Sequence, residues 1–322
     1  MNRQRADAKD AKPEFEGGRY LAENEDRLAW IMGSSRSGST WMLRMLTDEP
    51  SVVGIDDPHL GHHLGVWRPL PLAWATAEER PRLKTLADVK REKPGYMFSE
   101  RYRDAWLPAL KDLVRARFGA QLADELDDGV ERPTVVVKEP GSQAAELLLG
   151  AFPESRLIFL LRDGRDVVDS WIDAYQNGSW AIEEGAFPVA AERRLALVEW
   201  LATVWAYRTR VVARAYARHP RERRVLIRYE DLLEGAEAEL ARAFGALGIE
   251  SPATAVSEIA ERNSYELVSP DRRGPRHEIR AASPGSWRHN LDASEQRAMH
   301  EIMGSELEAF GYLGPDRSAR AA

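Results

Sequence analysis

The sequence predicts an α/β fold, a parallel β-sheet flanked by helices on both faces. Short apolar runs alternate with longer stretches of helical spacing along most of the chain. One of them, RLIFLLR (Arg156 to Arg162), is unbroken between its two arginines, as a strand covered on both faces has to be. A glycine-bearing turn, Gly33 to Gly38, stands between the first apolar run and the first helical stretch, which is where such sheets bind ligands.

Taken in order, Leu28 to Met32 reads as a strand, followed by the glycine turn and a helix through about Leu46. SVVGI, Ser51 to Ile55, is a second strand. The DDPHLGHHLGVWRPLPLAW that follows is rich in Pro, Gly, His and Trp, the composition of a long loop beside a site. Helical spacing returns from Arg101 to Leu126, where Pro108 is expected to interrupt it. TVVVK (Thr134 to Lys138) is a third strand, with SQAAELLLGAF as its helix. RLIFLLR is the fourth, continued as helix by DGRDVVDSWIDAY. A long helix over about Val189 to His219 leads to a further strand, RVLIRY, and a helix over EDLLEGAEAELARAFGALG.

Composition bounds the function. The chain has 322 residues, and a hydrophobic content of 43% with 10 Trp is ample for one buried core. Residues 1–26 are polar and unpatterned and read as a flexible arm, 27–315 as one folded domain and 316–322 as a tail. A net charge of -7 gives no basic field for nucleic acid, so an anion has to be held by a local cluster. Cysteine is absent, which removes disulfides, thiolate metal sites and a thiol nucleophile. The first twenty residues hold no apolar run of a signal peptide, and nothing approaches 18 apolar residues in a row. A soluble cytoplasmic protein is expected, of unspecified oligomeric state.

The turn MGSSRSGSTW carries the chemistry. Gly33, Gly38 and Thr40 match the nucleotide loop G-x-x-x-x-G-K-[ST], but Ser39 replaces the lysine and a cation stands earlier, at Arg36. Strand, turn and helix offer free backbone N–H groups and a positive dipole end to an anion, and the serines add hydroxyls. A nucleoside triphosphatase needs the missing lysine beside Mg²⁺. Arg36 instead meets a shorter anion bidentately. A second cluster, RDGRDVVDS, places Arg162 at a strand end and Ser170 two helical turns on, where both can meet another anion. The alternative is a salt-bridged helix start, with Arg162 paired to a neighbouring Asp.

Together, SSRSGSTW and RDGRDVVDS resemble the signatures of the PAPS-dependent sulfotransferases. The likeness runs through VVVKEPGS, RVLIRYEDLLE and GSWRHNLDASE, covering most of Leu28 to Leu313. It implies a P-loop-like sulfotransferase fold and the donor 3′-phosphoadenosine 5′-phosphosulfate (PAPS), with 3′,5′-phosphoadenosine (PAP) as product. By the same resemblance Arg36, Ser37, Gly38, Ser39 and Thr40 hold the 5′-phosphosulfate, and Arg162 and Ser170 the 3′-phosphate. Trp41 matches an aromatic that stacks on adenine and Tyr229 a residue lining its pocket, although core packing explains either. Arg280 matches the first cation of a late 3′-phosphate loop, but RAASPGSW lacks the usual second cation and glycine, leaving Arg272, Arg273 and Arg276 as rivals.

The general base departs from one branch and resembles another. The cytosolic small-molecule enzymes carry a histidine two residues after the strand-end lysine, whereas Glu139 and Pro140 follow Lys138 here. Carbohydrate-type members use a carboxylate after the second strand, often before Pro-His, and IDDPHLGHH is similar. Asp57 is then the expected base, with Asp56, His59 and Glu139 as alternates. Lys138 is expected at the transferring sulfonate, unless it is a solvent-facing strand end. Histidines 59, 62 and 63 lack Cys or acidic partners at helical spacing, so no metal is expected. The acceptor, any small molecule, lipid or carbohydrate with a hydroxyl, is not readable. A P-loop kinase and a non-catalytic nucleotide-binding module remain as rivals.

Overall fold

A computed structural model describes residues 16–63, 83, 85–126, 130–176, 178–183, 188–267, 269, 274 and 283–313. In chain order its elements are α1 (Gly17–Glu23), β1 (Leu28–Met32), α2 (Ser39–Thr47), β2 (Val52–Asp56), α3 (Leu60–His63), α4 (Leu86–Lys90) and α5 (Arg103–Glu125). Then come β3 (Thr134–Lys138), α6 (Ala145–Ala151), β4 (Arg156–Leu161), α7 (Gly164–Ala174), α8 (Trp180–Glu183), α9 (Arg194–Arg218) and β5 (Arg224–Arg228). The remainder is α10 (Tyr229–Glu234), α11 (Ala236–Leu247), α12 (Ala253–Arg262), α13 (Trp287–Asn290) and α14 (Ala293–Ala309).

The strands form one sheet in the order β2-β3-β1-β4-β5, and every pairing is parallel. Alternate side chains feed two cores, as the two-residue period of a strand requires. Trp30, Met32, Val135, Val137, Leu157, Phe159 and Leu161 face one side, packed by α5, α6, α7, α9 and α14. Ala29, Ile31, Val136, Ile158, Leu160, Val225 and Ile227 face the other, packed by α2, α11 and α12. Trp30 anchors the first core. Its ring meets Phe118 edge-on at 6.2 Å and Phe152 at 5.9 Å, and its Nε1 donates to Ser155 Oγ at 3.0 Å.

This order positions the site. β1 is central, with β3 on one side and β4 on the other. The loop after β1 therefore emerges between the carboxyl ends of β3 and β4, the crevice where open α/β sheets bind ligands. Lys138 ends β3 on one flank, and Arg162 follows β4 on the other.

Three expectations need correction. Residues 17–23, expected within a flexible arm, form α1, which packs on α5 with Leu21 buried. The apolar signal there is too short to read, because the burial of Leu21 is joined to a close backbone approach rather than to a side-chain stripe. A Cβ on Gly119 would lie 2.1 Å from the Gly18 nitrogen. Pro108 does not interrupt α5. It falls near the helix start, and the carbonyl it deprives, that of Asp104, belongs to an exposed residue that water can serve. The helix after β5 breaks into α10 and α11 at Gly235, whose ψ of 65° is not helical.

Gly119→Ala should therefore lever α1 off α5. The expected cost is about 1–3 kcal/mol of overpacking, with faster proteolysis near residue 20, and chemical unfolding with limited proteolysis checks both.

Candidate active site

The turn between β1 and α2 is shaped by its two glycines. A Cβ at Gly33 would sit 2.0 Å from the Leu160 carbonyl oxygen, so only glycine lets the turn pass against β4. Gly38 has φ +87°, and a Cβ there would strike the Tyr229 ring at 2.6 Å. Between them Arg36 adopts φ +69°, a left-handed conformation for a non-glycine residue. Ser37 is buried, and its Oγ has no hydrogen-bond partner.

The two anion motifs, expected apart, meet at Arg36. Its Nε donates to Ser170 Oγ at 3.1 Å, and Arg162 Nη1 donates to the Arg36 carbonyl at 2.8 Å. Arg162 does not pair with Asp163, which holds Arg165 at 2.6 Å instead. Its guanidinium lies 4.4 Å from the Tyr229 ring centroid, and its buried Nε is unpartnered. Tyr229 in turn meets the half-buried Trp41 edge-on at 6.2 Å, and Trp41 Nε1 donates to the Asn263 carbonyl at 2.7 Å. Arg36, Arg162, Ser170, Tyr229 and Trp41 thus form one continuous surface over the turn.

The other flank is built around Lys138, which is buried rather than solvent-facing. Its Nζ lies 2.5 Å from Asp56 Oδ1 and 3.0 Å from Asp57 Oδ2, and donates to Thr40 Oγ1 at 2.9 Å. Burial works against its charge, but the two carboxylates outweigh it and hold its pKa above the ordinary lysine value. Burial pushes the Asp57 carboxyl up against the pull of Lys138, with the Asp56 charge adding to the rise. Asp57 takes φ +49° and His59 φ +53°, so the loop leaving β2 is as strained as the one leaving β1.

Glu139 is committed elsewhere. Its buried carboxylate accepts from the Gly141, Leu60 and Gly61 amides at 2.6, 2.9 and 3.4 Å. Burial still raises its pKa, opposed by those three hydrogen bonds. Its role in the geometry is to fasten the Asp57–His63 loop to the turn after β3. His59 Nδ1 lies 3.4 Å from His62 Nδ1 on the exposed side of that loop. Burial and nearby cations depress His62 to about 4, so it is neutral at physiological pH. Among the described residues no group of His, Asp or Glu is arranged to hold a metal ion.

The late GSW segment joins the second motif. Asp166 Oδ2 accepts from the Gly285 amide at 2.8 Å, Asp169 Oδ2 from Asn290 Nδ2 at 3.0 Å, and Arg165 lies 4.2 Å from the Trp287 ring centroid. Arg280, Arg272, Arg273 and Arg276 lie outside the described residues.

Two neighbours extend the turn, and the second of them escaped the sequence reading. Trp180 carries the Arg36 guanidinium 5.2 Å from its ring centroid in a cation–π contact. Arg208, buried in α9, donates through Nη1 to Ser35 Oγ at 3.1 Å, and its charge faces Glu139. Its signal was available. Arg208 stands seven residues after Leu201 and three after Trp205, on the apolar phase of the helix.

The geometry agrees with what the chain is similar to. A family model described as the sulfotransferase family matches residues 29–253. Among solved structures, mouse sulfotransferase SULT7A1 complexed with PAP superposes with a TM-score of 0.52 at 12% identity, over 91% of this chain and 89% of that one. Sulfotransferase STF9 from Mycobacterium avium gives 0.50 at 13% identity, over 91% and 81%. At such identities the likeness is one of fold. Among curated proteins no sequence matches. With the family model spanning more than two thirds of its 322 residues, the chain belongs to the sulfotransferase family.

Proposed function

We propose that the protein transfers the sulfonate of PAPS to an acceptor hydroxyl by metal-independent in-line displacement, leaving a sulfate ester and PAP. The observation that carries this reading is the junction of Arg36, Ser170 and Arg162 beside the turn, with Lys138 and Thr40 on its other flank. The residues suit a compact polyanion with an adenosine. The buried Ser37 Oγ and Arg162 Nε have donors to spare. The missing Cβ of Gly38 lets the Tyr229 ring pack directly against the turn. Tyr229 and Trp41 supply aromatic surface at the same edge. The mouse relative of the same fold is complexed with PAP.

In this reading Arg36, Ser37, Gly38, Ser39 and Thr40 hold the 5′ side of the donor, Arg162 and Ser170 its 3′-phosphate, and Trp41 and Tyr229 its base. Bound PAPS supplies the electrophilic sulfur and an anionic leaving group. Lys138, kept protonated by its carboxylates, meets charge that grows as the S–O bond breaks. Arg36 does the same from the turn. Asp57, at the lip of β2, takes the acceptor's proton. A carboxyl raised by burial is a better base than a free one, and general-base catalysis contributes roughly 10²–10⁴-fold. The missing loop lysine follows, since a sulfonate carries less charge than a γ-phosphate and needs no Mg²⁺ partner there.

Three outcomes are expected. Arg162→Ala should weaken PAP binding in calorimetry by about 1.5–3 kcal/mol, the worth of a charged hydrogen bond; unchanged affinity, or tighter binding of ATP·Mg than of PAP by the native chain, would remove the donor assignment. Asp57→Asn should lower kcat roughly 10²–10⁴-fold with PAP affinity intact, measured with labelled donor; full turnover would place the base elsewhere. Because Asp57 acts only when ionised and its pKa is raised, turnover should decline as pH falls toward a point above the usual carboxylate value of about 3.9. A pH profile of kcat locates that limb, and an acid limb at or below the usual value would contradict the raised pKa.

A further inference from the structure

Beyond the residues assigned above, α4, the segment leading into α5, α6 and α9 line a partly open cavity of about 230 Å³. Arg36, Asp57, Lys138 and Arg162 take no part in its lining. It lies behind the turn after β3, since Gln143, on its wall, follows two residues after the Gly141 that donates to Glu139. We propose that this cavity is a second binding site, taking a small hydroxylated molecule with one anionic group, of the size and chemistry of a sugar acid or sugar phosphate.

The first support is polar atoms without partners. Gln143 is only 5% exposed, yet neither its Nε2 nor its Oε1 has a hydrogen-bond partner. The buried Tyr96 hydroxyl, on the same wall, has none either. Folded proteins leave few buried polar groups unpaired, because each costs about 1–3 kcal/mol. A primary amide that can donate and accept at once, lining the same cavity as a phenol, is matched by a polyhydroxylated ligand.

Charge is the second. Arg91, Arg103, Arg214 and Arg218 line the cavity against Asp88, Glu100 and Glu146. The carboxylates are already engaged. Glu100 holds Arg103 at 3.2 Å, and Asp88 takes the Tyr207 hydroxyl at 2.8 Å and the Thr85 amide at 2.8 Å. Glu146 is shared between Arg214 at 3.0 Å and Arg218 at 2.8 Å, so one carboxylate faces two guanidinium groups. The surplus is positive and suits a single anionic group. Size sets the last limit. The volume is below the roughly 300–1,000 Å³ of drug-sized pockets, which leaves room for one sugar ring.

The test uses the full chain with glucuronate and glucose 6-phosphate as probes and glucose as the uncharged control, read by calorimetry and thermal shift. Saturable binding of an anionic probe is expected, with none for glucose. Gln143→Leu and Arg218→Gln should each weaken it at least tenfold and leave PAP affinity unchanged. Without any probe Gln143→Leu should hold or raise Tm, because it removes unpaired buried atoms, so a loss of binding cannot be blamed on unfolding. No saturable binding by either anion, or equal binding by both variants, would overturn the proposal and leave the cavity to water. Incubation of the bound probe with labelled donor separates the two sources of such a ligand. A sulfated probe identifies the distal end of the acceptor site, and a bound but unmodified one a separate ligand.

Discussion

A buried ammonium governs this site. Lys138, placed by register opposite Asp56 on one side and Ile31 on the other, ends the strand between the two functional loops. An isolated buried charge is costly, and losing one partner of a buried pair costs more than the pair contributes. Lys138 is therefore bound to Asp56, Asp57 and Thr40 together. That set of contacts ties the start of α2 to the loop leaving β2. The position of the expected base is thus coupled to the position of the turn that would hold the donor.

The backbone pays for this arrangement with strain at both loops. Among the described residues Arg36, Asp57 and His59 are the non-glycine residues with positive φ, and such conformations cost of the order of 1–3 kcal/mol each unless the surroundings over-determine them. The surroundings do. The Arg36 carbonyl accepts from Arg162, the Asp57 amide donates to the Lys138 carbonyl at 3.2 Å, and the His59 carbonyl accepts from the His62 and His63 amides at 2.9 Å each. Glu139 then fastens the whole second loop to the turn after β3. A side chain that sequence proximity offers as a proton acceptor is thereby occupied in holding the loop in place.

Much of this was legible because it is local. The three inner strands were readable from apolar runs because each is buried on both faces, and the edge strands β2 and β5 from short apolar runs between turn residues. The glycine turn was readable because Gly33 and Gly38 answer two different steric demands, a carbonyl of β4 and the ring of Tyr229. What could not be read is what the chain joins across long separations. Arg36 and Ser170 are brought together by strand order alone, as β4 lies beside β1 while its sequence is far away. The Gly17–Glu23 helix was missed because glycines make its closest approach to α5 and its one buried apolar side chain, Leu21, gives no hydrophobic period. Arg208 shows the converse. A charged residue on the buried phase of a long helix is a readable anomaly, and its partner, Ser35, lies on the very turn the motif identified.

An acidic chain that binds a polyanion has to separate its charges. The net charge of -7 would repel such a ligand if it were spread evenly over the surface. Instead the cations near the turn stand in distinct relations to carboxylates. Arg36 and Arg162 take hydroxyl, carbonyl and aromatic contacts, and the Arg162 charge also acts on the buried Asp166 carboxylate. Lys138 and Arg208 lie deeper, opposite Asp56, Asp57 and Glu139. In the proposed reaction the first pair attracts the anion, and the second stays charged whether or not one is bound. That division explains how a turn without the usual lysine keeps a fixed positive charge beside it. The charge enters from the neighbouring strand and arrives with its own counter-ions, one of which, Asp57, is the base proposed above.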